Sequence, residues 1–208
     1  MSKIGAIILA AGFSNRMGTP KLLLPYKEKP LIYYPVALAT KHNLEPIILV
    51  SGIYHEQLLK ALQPFENKLT IITNELAEEG MSTSLKKGIE AIETDVDACF
   101  LFLGDQPFVT GEVIGKLLKV YRENQDSGIK IVRPCYQKKP GHPILIDKSL
   151  FTQFKQLKGD QGGKLILKQY KEQLKYIDFD NPLWGADIDT PKDCADLIIN
   201  QNEGDEGN

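Results

Sequence analysis

Two cations in a glycine-bearing loop near the N-terminus are the residues of this sequence best suited to chemistry. Arg16 and Lys21 follow the apolar run 4–11, in the segment IILAAGFSNRMGTPK at residues 7–21. An arginine offers a forked guanidinium, a lysine offers a point charge, and Gly12 lets the backbone turn sharply so that its N–H groups can face an anion. This combination predicts a phosphate-binding loop. The alternative interpretation is a pair of solvated surface charges, since GxxxxGK[ST] and GxGxxG are both absent.

An acidic residue directly follows the most apolar run of the chain. Residues 100–107 read FLFLGDQP, so that Asp105 stands at the end of a predicted buried strand. Because ligands of open parallel sheets bind outside the carboxyl ends of the strands, Asp105 is expected level with the Gly12 loop. A carboxylate that faces a triphosphate is repelled unless a divalent cation lies between them, which predicts Asp105 as a Mg²⁺ ligand. An aspartate that caps the turn before Pro107 is the alternative.

A second acidic segment, DIDTP at residues 187–191, lies near the C-terminus. Asp187 and Asp189 would point the same way from an extended segment, because side chains alternate with a period of two. Either carboxylate could complete the metal site. Alternatively, Asp189 or Thr190 caps a helix that begins at Pro191.

Short polar side chains and further glycine loops could bind the remaining parts of the substrates. Asn74 and the run GMSTS at residues 80–84 suit recognition of a base or ribose, although Ser82 could simply cap a helix. The loops GHP (141–143) and GDQGG (159–163) are candidates for gripping an acceptor. His142 has no partner acid in its motif and is better suited to orienting a substrate than to acting as a general base.

Apolar runs of strand length alternate with segments of helical period, which predicts a Rossmann-like α/β fold with a mostly parallel sheet and helices on both faces. We predict one domain over about 1–200, with a nucleotide-binding part (1–125), an elaborated acceptor-binding part (126–200) and a disordered tail (201–208). The predicted strands cover 4–11, 46–50, 69–73, 98–103, 129–136, 143–146 and 174–179. Helices are predicted from Pro30 to about 42, at 56–62, from a Ser82 cap, from a Thr110 cap to about 124, and at 149–157, 163–170 and 191–200.

Composition excludes several classes of protein. A chain of 208 residues with a net charge of −2 and only three separated cysteines has no basic field for nucleic acid and no thiolate metal site. We expect no membrane span and a cytoplasmic location. GxSxG, HExxH and EF-hand patterns are absent, which leaves metal-assisted nucleotidyl transfer, in which an acceptor phosphate attacks the α-phosphorus and pyrophosphate leaves.

Taken together, LAAGxSxRMGxxK, Asn74 with GMSTSL, LGDQP, GHP, GDxGG and DIDTP resemble the molybdenum cofactor nucleotidyltransferases. The resemblance covers about 4–199 and is closest to the cytidylyltransferase branch that serves xanthine dehydrogenase-type enzymes. The fold it implies is similar to that of the nucleotide-diphospho-sugar transferases. The implied reaction is transfer of CMP from CTP to the terminal phosphate of the molybdopterin cofactor, with Mg²⁺. The guanylyl branch typically has LAGG where this chain has LAAG, which favours CTP over GTP.

The resemblance also implies roles for particular residues. The phosphates of the nucleotide would be held by Arg16 and Lys21, and the metal by Asp105 and Asp189. The remaining implied nucleotide contacts are Leu9, Ala10, Ala11, Gly12, Asn74, Gly80 and Ser84. The implied acceptor contacts are Gly141, His142, Pro143, Gly159, Asp160 and Gly162.

Two other hypotheses remain open from the sequence. The chain could transfer a nucleotide to another small phosphorylated acceptor, such as a sugar phosphate or polyol phosphate. It could also be a non-catalytic accessory protein that binds the molybdenum cofactor and passes it to a dehydrogenase.

Overall fold

The first apolar run of the sequence forms an interior strand of a mixed sheet. The computed structural model describes residues 2–12, 20–157, 159, 163–188 and 193. In chain order the strands are β1 (Ile4–Ala10), β2 (Pro25–Tyr26), β3 (Lys29–Pro30), β4 (Ile47–Ser51), β5 (Leu69–Thr73), β6 (Ala98–Leu103), β7 (Ile131–Tyr136), β8 (Lys139–Pro140), β9 (Ile144–Asp147) and β10 (Leu174–Phe179). The described helices are α1 (Tyr33–Lys41), α2 (His55–Ala61), α3 (Met81–Ile92), α4 (Gly111–Glu123), α5 (Phe151–Lys155) and α6 (Lys164–Gln169).

The order of the strands across the sheet is β10-β7-β9-β6-β1-β4-β5, with β8 paired to β7. Strands β6, β1, β4 and β5 are parallel to one another, and β10 is parallel to β7. Strand β9 is antiparallel to both β6 and β7. The predicted mostly parallel sheet is confirmed. The four adjacent parallel strands β6, β1, β4 and β5 all end at one edge of the sheet.

Helices cover both faces of this sheet, as predicted. Because side chains alternate along β1, Ile8 joins a core with α1, α2 and α4, whereas Ile7 joins a second core with α3, α5 and α6. The crossover helices are held by their apolar sides, as in α4, where Val113, Ile114 and Leu117 are fully buried. The buried faces fix the helix ends relative to the edge where the strands terminate.

Several predicted boundaries are confirmed, and others are wrong for identifiable reasons. The strands predicted at 69–73, 98–103 and 174–179 match β5, β6 and β10. Pro30 does not open the first helix. It pairs with Pro25 in a hairpin whose two turn residues, Lys27 and Glu28, have φ values of 43° and 66°. Positive φ at both turn residues matches the twist of a two-residue hairpin, so this turn ends the strand and the helix starts later, at Tyr33.

Two other local predictions are corrected by turn and cap geometry. Gln137 and Lys138 also have positive φ and form a second two-residue hairpin turn, so the predicted loop at 137–142 contains strand β8. Ser82 is not a cap: α3 begins at Met81 after Gly80, which has a φ of 111°. Thr110 does occupy the cap position of α4, but its side chain makes no capping hydrogen bond.

Gly88 provides a test of the packing between α3 and the sheet. A Cβ atom at this position would lie 2.5 Å from Cγ2 of Ile7 and 3.2 Å from Cγ2 of Val50. We expect Gly88→Ala to lower the free energy of unfolding by about 1–3 kcal/mol, since overpacking forces neighbouring groups to shift. Urea denaturation measures the change.

The matched control is Gly115→Ala in α4, where a Cβ atom would meet nothing within 4 Å. Alanine loses less backbone entropy than glycine in a helix, so this substitution should stabilise the protein by roughly 0.5–1 kcal/mol. Destabilisation of equal size in both variants would contradict the packing explanation.

Within the described residues, no helix is both long and apolar enough to span a membrane.

Candidate functional site

A cavity of about 400 Å³ opens at the edge where the parallel strands end. Its wall contains residues 9–12 at the end of β1, Lys21, Gly80, Ser84 and Asp105. The sequence separates these residues by up to about a hundred positions, and the parallel topology brings them together. Most of the predicted phosphate, metal and base contacts within the described residues therefore share one cavity, with Asn74 and Asp187 as the exceptions.

The ends of β1 and β6 are joined directly beneath this cavity. The N–H of Gly104 donates to the carbonyl of Leu9 at 3.0 Å. A Cβ atom at Gly104 would lie only 3.0 Å from that same carbonyl oxygen. A glycine is required for this close approach, which sets Asp105 beside the end of β1.

Lys21 and Asp105 form an ion pair inside the cavity. The Nζ atom of Lys21 lies 2.7 Å from Oδ2 of Asp105, and the two side chains are 17% and 24% exposed. Lys21 lies in a short 3-10 turn, Lys21–Leu23, that follows Pro20. The ion pair keeps both side chains at the cavity wall, and the positive charge of Lys21 balances the negative charge of Asp105. A bound triphosphate and a cation would each offer a new partner to one member of the pair.

The second acidic segment lies against the first. The N–H of Ile188 donates to the carbonyl of Asp105 at 3.1 Å, and Nε2 of Gln106 donates to Oδ1 of Asp187 at 2.7 Å. Ile188 is fully buried in a small core with Tyr26, Leu31 and Phe108. The buried isoleucine anchors the segment, so Asp187 is placed close to the backbone that carries Asp105.

No group of three or more His, Cys, Asp or Glu side chains in the described part of the chain could hold a metal ion. The carboxylate of Asp105 is nevertheless a suitable donor for Mg²⁺, which usually keeps several waters and takes one or two carboxylates plus substrate phosphates. Asp189, the other predicted ligand, lies outside the described residues, as do Arg16, Asp160 and Gly162.

Asn74 has a supporting position behind the cavity. It is 4% exposed, its amide donates to the hydroxyls of Thr83 and Ser84 at 2.8 and 2.9 Å, and its carbonyl accepts from the N–H of Leu76. These bonds use its hydrogen-bonding groups within the protein. Asn74 therefore shapes the segment that leads into α3, and Ser84 and Gly80 form the wall itself.

The GHP loop lies at the same edge of the sheet but outside this cavity. Because β9 is antiparallel to β6 and pairs Ile144 with Leu101, the preceding His142 and Pro143 lie near the end of β6. Arg133 donates from Nε to the carbonyl of Gly141 at 2.9 Å, and the hydroxyl of Tyr136 donates to the carbonyl of His142 at 2.8 Å. Gly159, of the other predicted acceptor loop, is exposed.

His142 should make the stability of the protein depend on pH. Burial and the nearby positive charge of Arg133 lower the pKa of His142 from 6.5 to about 4. Between these values the unfolded chain binds a proton that the folded chain does not, so stability falls as the pH drops from 6.5 towards 4. Urea unfolding at pH 7.5 and 5.0 should show a smaller loss for His142→Gln than for the wild type. An equal loss in both proteins would rule out His142 as the source.

Ala77 and Glu78 line the cavity and were not among the predicted site residues. The signal was the position of ELAEE (75–79) immediately before GMSTS (80–84). A second polar cluster was also missed: the hydroxyls of Ser51 and Thr73 each lie 2.9 Å from Nδ1 of His55, at the ends of β4 and β5. It connects the two strand ends behind the cavity.

Comparison with known proteins shows similarity over most of the chain. Residues 6–174 match the family described as the MobA-like NTP transferase domain. The molybdenum cofactor cytidylyltransferase of Escherichia coli (strain K12) is 31% identical over 193 residues, which cover 93% of this chain and 94% of that protein.

Solved structures have the same fold. The Mycobacterium tuberculosis Rv0371c homologue from Mycobacterium sp. strain JC1 superposes with a TM-score of 0.81 at 26% identity, covering 95% of this chain and 96% of that one. Rv0371c of Mycobacterium tuberculosis in complex with manganese gives a TM-score of 0.75 at 22% identity, covering 95% and 99% of the two chains. The predicted Rossmann-like class is thereby confirmed.

Proposed function

This chain belongs to the family of MobA-like NTP transferases, and we propose that it transfers CMP from CTP to the terminal phosphate of the molybdenum-molybdopterin cofactor, releasing pyrophosphate. The observation that carries the proposal is the cavity in which Lys21 and Asp105 face each other beside Ala10 and Ala11. The cavity combines a cation that can bind phosphate, a carboxylate that can bind a metal, and small alanine side chains that leave room for a base.

Lys21 is proposed to hold the triphosphate and to neutralise charge that develops on the leaving pyrophosphate. Preorganised cations aimed at developing charge are a large source of catalysis, and this lysine is already fixed at the cavity wall. Arg16, which follows β1 in the sequence, is proposed to contribute in the same way. Neither residue needs to transfer a proton, because the attacking group is a phosphate oxygen.

Asp105 is proposed to hold Mg²⁺, with Asp187 or Asp189 as the second carboxylate. The bound metal would supply Lewis-acid polarisation of the phosphoryl group. Asp105 is suited to this role because the Gly104 contact with β1 fixes its backbone at the end of the central strands. In the free protein its charge is balanced by Lys21.

The acceptor is proposed to bind through the GHP loop and the GDQGG loop. Residues 1–125 would then form the nucleotide-binding part and residues 126–200 the acceptor-binding part. The described cavity wall lies within residues 9–105, and the GHP loop reaches the same sheet edge from the other part of the chain. The modified cofactor would be destined for a molybdenum hydroxylase of the xanthine dehydrogenase type.

Ala11 is proposed to limit the size of the bound base. Ala11 is 7% exposed and is part of the cavity wall. We expect Ala11→Gly, which creates the LAGG of the guanylyl branch, to lower the CTP-over-GTP ratio of kcat/KM by roughly tenfold, the effect of one methylene-sized group. The control is Ala91→Gly at an exposed position of α3, which should leave the ratio unchanged.

A nucleotide panel tests the proposal as a whole. The protein is mixed with molybdenum cofactor, Mg²⁺ or Mn²⁺, and CTP, GTP, UTP or ATP in turn, and pyrophosphate is measured. We expect release with CTP that depends on the metal and on the cofactor. Activity with GTP alone would overturn the base assignment. Tight cofactor binding without pyrophosphate from any nucleotide would favour the accessory-protein hypothesis, and release only with another phosphorylated acceptor would change the substrate.

A further inference from the structure

The two ends of the cavity differ in their chemistry. Asp105 and Lys21 lie at the end of β6, whereas Glu78 and Gly80 lie between β5 and α3. Strands β1 and β4 separate β6, which precedes Asp105, from β5, which precedes the Glu78 turn. The strands β6 and β5 are therefore three strand spacings, or roughly 14 Å, apart across the sheet. If phosphates lie at the Lys21 end, the base must lie towards the Glu78 end, where a second carboxylate would otherwise repel the phosphates.

Among the described residues, Glu78 supplies the charge of the cavity wall at that end. It is exposed, and it makes no hydrogen bond or ion pair with any residue that the structure describes. An ionised carboxylate only accepts hydrogen bonds, so it favours groups that carry N–H. The short Ala77–Glu79 turn, which ends at Gly80, holds its backbone against the cavity.

We propose that Glu78 selects cytosine over uracil by accepting a hydrogen bond from the exocyclic 4-amino group of CTP. Cytosine presents an amino donor at this position, whereas uracil presents a carbonyl acceptor, as thymine does. A carboxylate facing that carbonyl oxygen is repelled, so Glu78 both attracts the correct pyrimidine and disfavours the wrong one. Guanine also carries N–H groups, and its exclusion depends on space at Ala11 instead.

This inference rests on the proposed function, because it assigns one end of the nucleotide site to the base. The test is Glu78→Gln, assayed for pyrophosphate release with CTP and with UTP under identical cofactor and metal concentrations. A glutamine amide can accept from cytosine or donate to uracil, so discrimination should be lost. We expect the CTP-over-UTP ratio of kcat/KM to fall by roughly tenfold, the scale of one base-edge contact.

The most informative part of the expected result is an increase in activity with UTP. kcat/KM for UTP should rise in the variant, which damage to the fold cannot produce. kcat/KM for CTP should fall at the same time, because the variant loses the charged acceptor for the 4-amino group.

Glu79→Gln is the matched control. Glu79 belongs to the same turn and is exposed, but it is not part of the cavity wall. Its neutralisation changes the net charge equally and should leave the CTP-over-UTP ratio unaltered.

An unchanged ratio in Glu78→Gln, or an equal shift in Glu79→Gln, would overturn the role of Glu78 while wild-type transfer from CTP still supported the proposed function. A wild-type protein that uses CTP and UTP equally would also overturn it. Failure of the wild type to release pyrophosphate from any nucleotide would instead overturn the proposed function itself.

Discussion

Replacing Asp105 with asparagine should lower kcat by about two to three orders of magnitude, because a metal-bound phosphoryl group gains several kcal/mol of charge stabilisation and each 1.36 kcal/mol is tenfold in rate. Asparagine keeps the size of the side chain and loses the charge that binds Mg²⁺. The backbone contacts of this segment, from Gly104 to Leu9 and from Ile188 to Asp105, do not involve the substituted group. The fold should therefore persist.

Two readouts separate a metal ligand from a merely structural acid. The concentration of Mg²⁺ or Mn²⁺ that gives half-maximal rate should rise in Asp105→Asn, and the urea midpoint should change little. Asp95→Asn, at an exposed turn position, is the control and should match the wild type in both. A variant that retains most of its kcat with an unchanged metal requirement would remove Asp105 from the proposed site and would favour the accessory-protein hypothesis.

Lys21→Met should lower kcat by about 10²–10³, the usual cost of losing a preorganised group that stabilises developing charge. Methionine keeps much of the apolar length of the side chain, and Lys21 is only 17% exposed. The loss should fall on kcat and on kcat/KM together if the lysine acts in the transition state. A rise in KM alone would assign Lys21 to ground-state binding of the triphosphate.

The control for Lys21 is Lys119→Met, which breaks a surface pair with Glu123 at 3.8 Å. This pair joins side chains that are 72% and 57% exposed, so its loss should leave the kinetics unaffected. The double variant Lys21→Met with Asp105→Asn should be less damaged than the sum of the single effects, since both residues act on the same phosphoryl group. Full additivity would mean that they act independently.

The sequence determined the core of the fold through local patterns. The continuous apolar run of β6 predicts this strand correctly, because a strand buried on both faces needs apolar side chains on both. Strands β5 and β10 lie at the two edges of the sheet, and their apolar residues are interrupted by polar ones. Prediction from the sequence failed where the local structure depends on backbone angles that residue type determines only weakly. The residues of the hairpin turns at Lys27–Glu28 and Gln137–Lys138 have positive φ although none of them is glycine, so their residue types do not predict these turns.

The types of the site residues were readable from the sequence, and their arrangement was not. Glycine before an acid at the end of an apolar run indicated Asp105, and a cationic loop indicated Lys21. That these two form a 2.7 Å ion pair, that Asp187 approaches the same backbone and that Asn74 supports the wall from behind depend on the order of strands in the sheet.

Glu78 shows the same division between sequence and structure. In the sequence it is one acid of ELAEEG, indistinguishable from Glu79. Only the packing of the turn between β5 and α3 directs one of the two neighbours to the cavity wall. The sequence by itself determined which chemical groups this protein has and which strands carry them, because both follow from local composition. The tertiary structure decided which of those groups meet, because their distances are fixed by contacts between segments that are far apart in the chain.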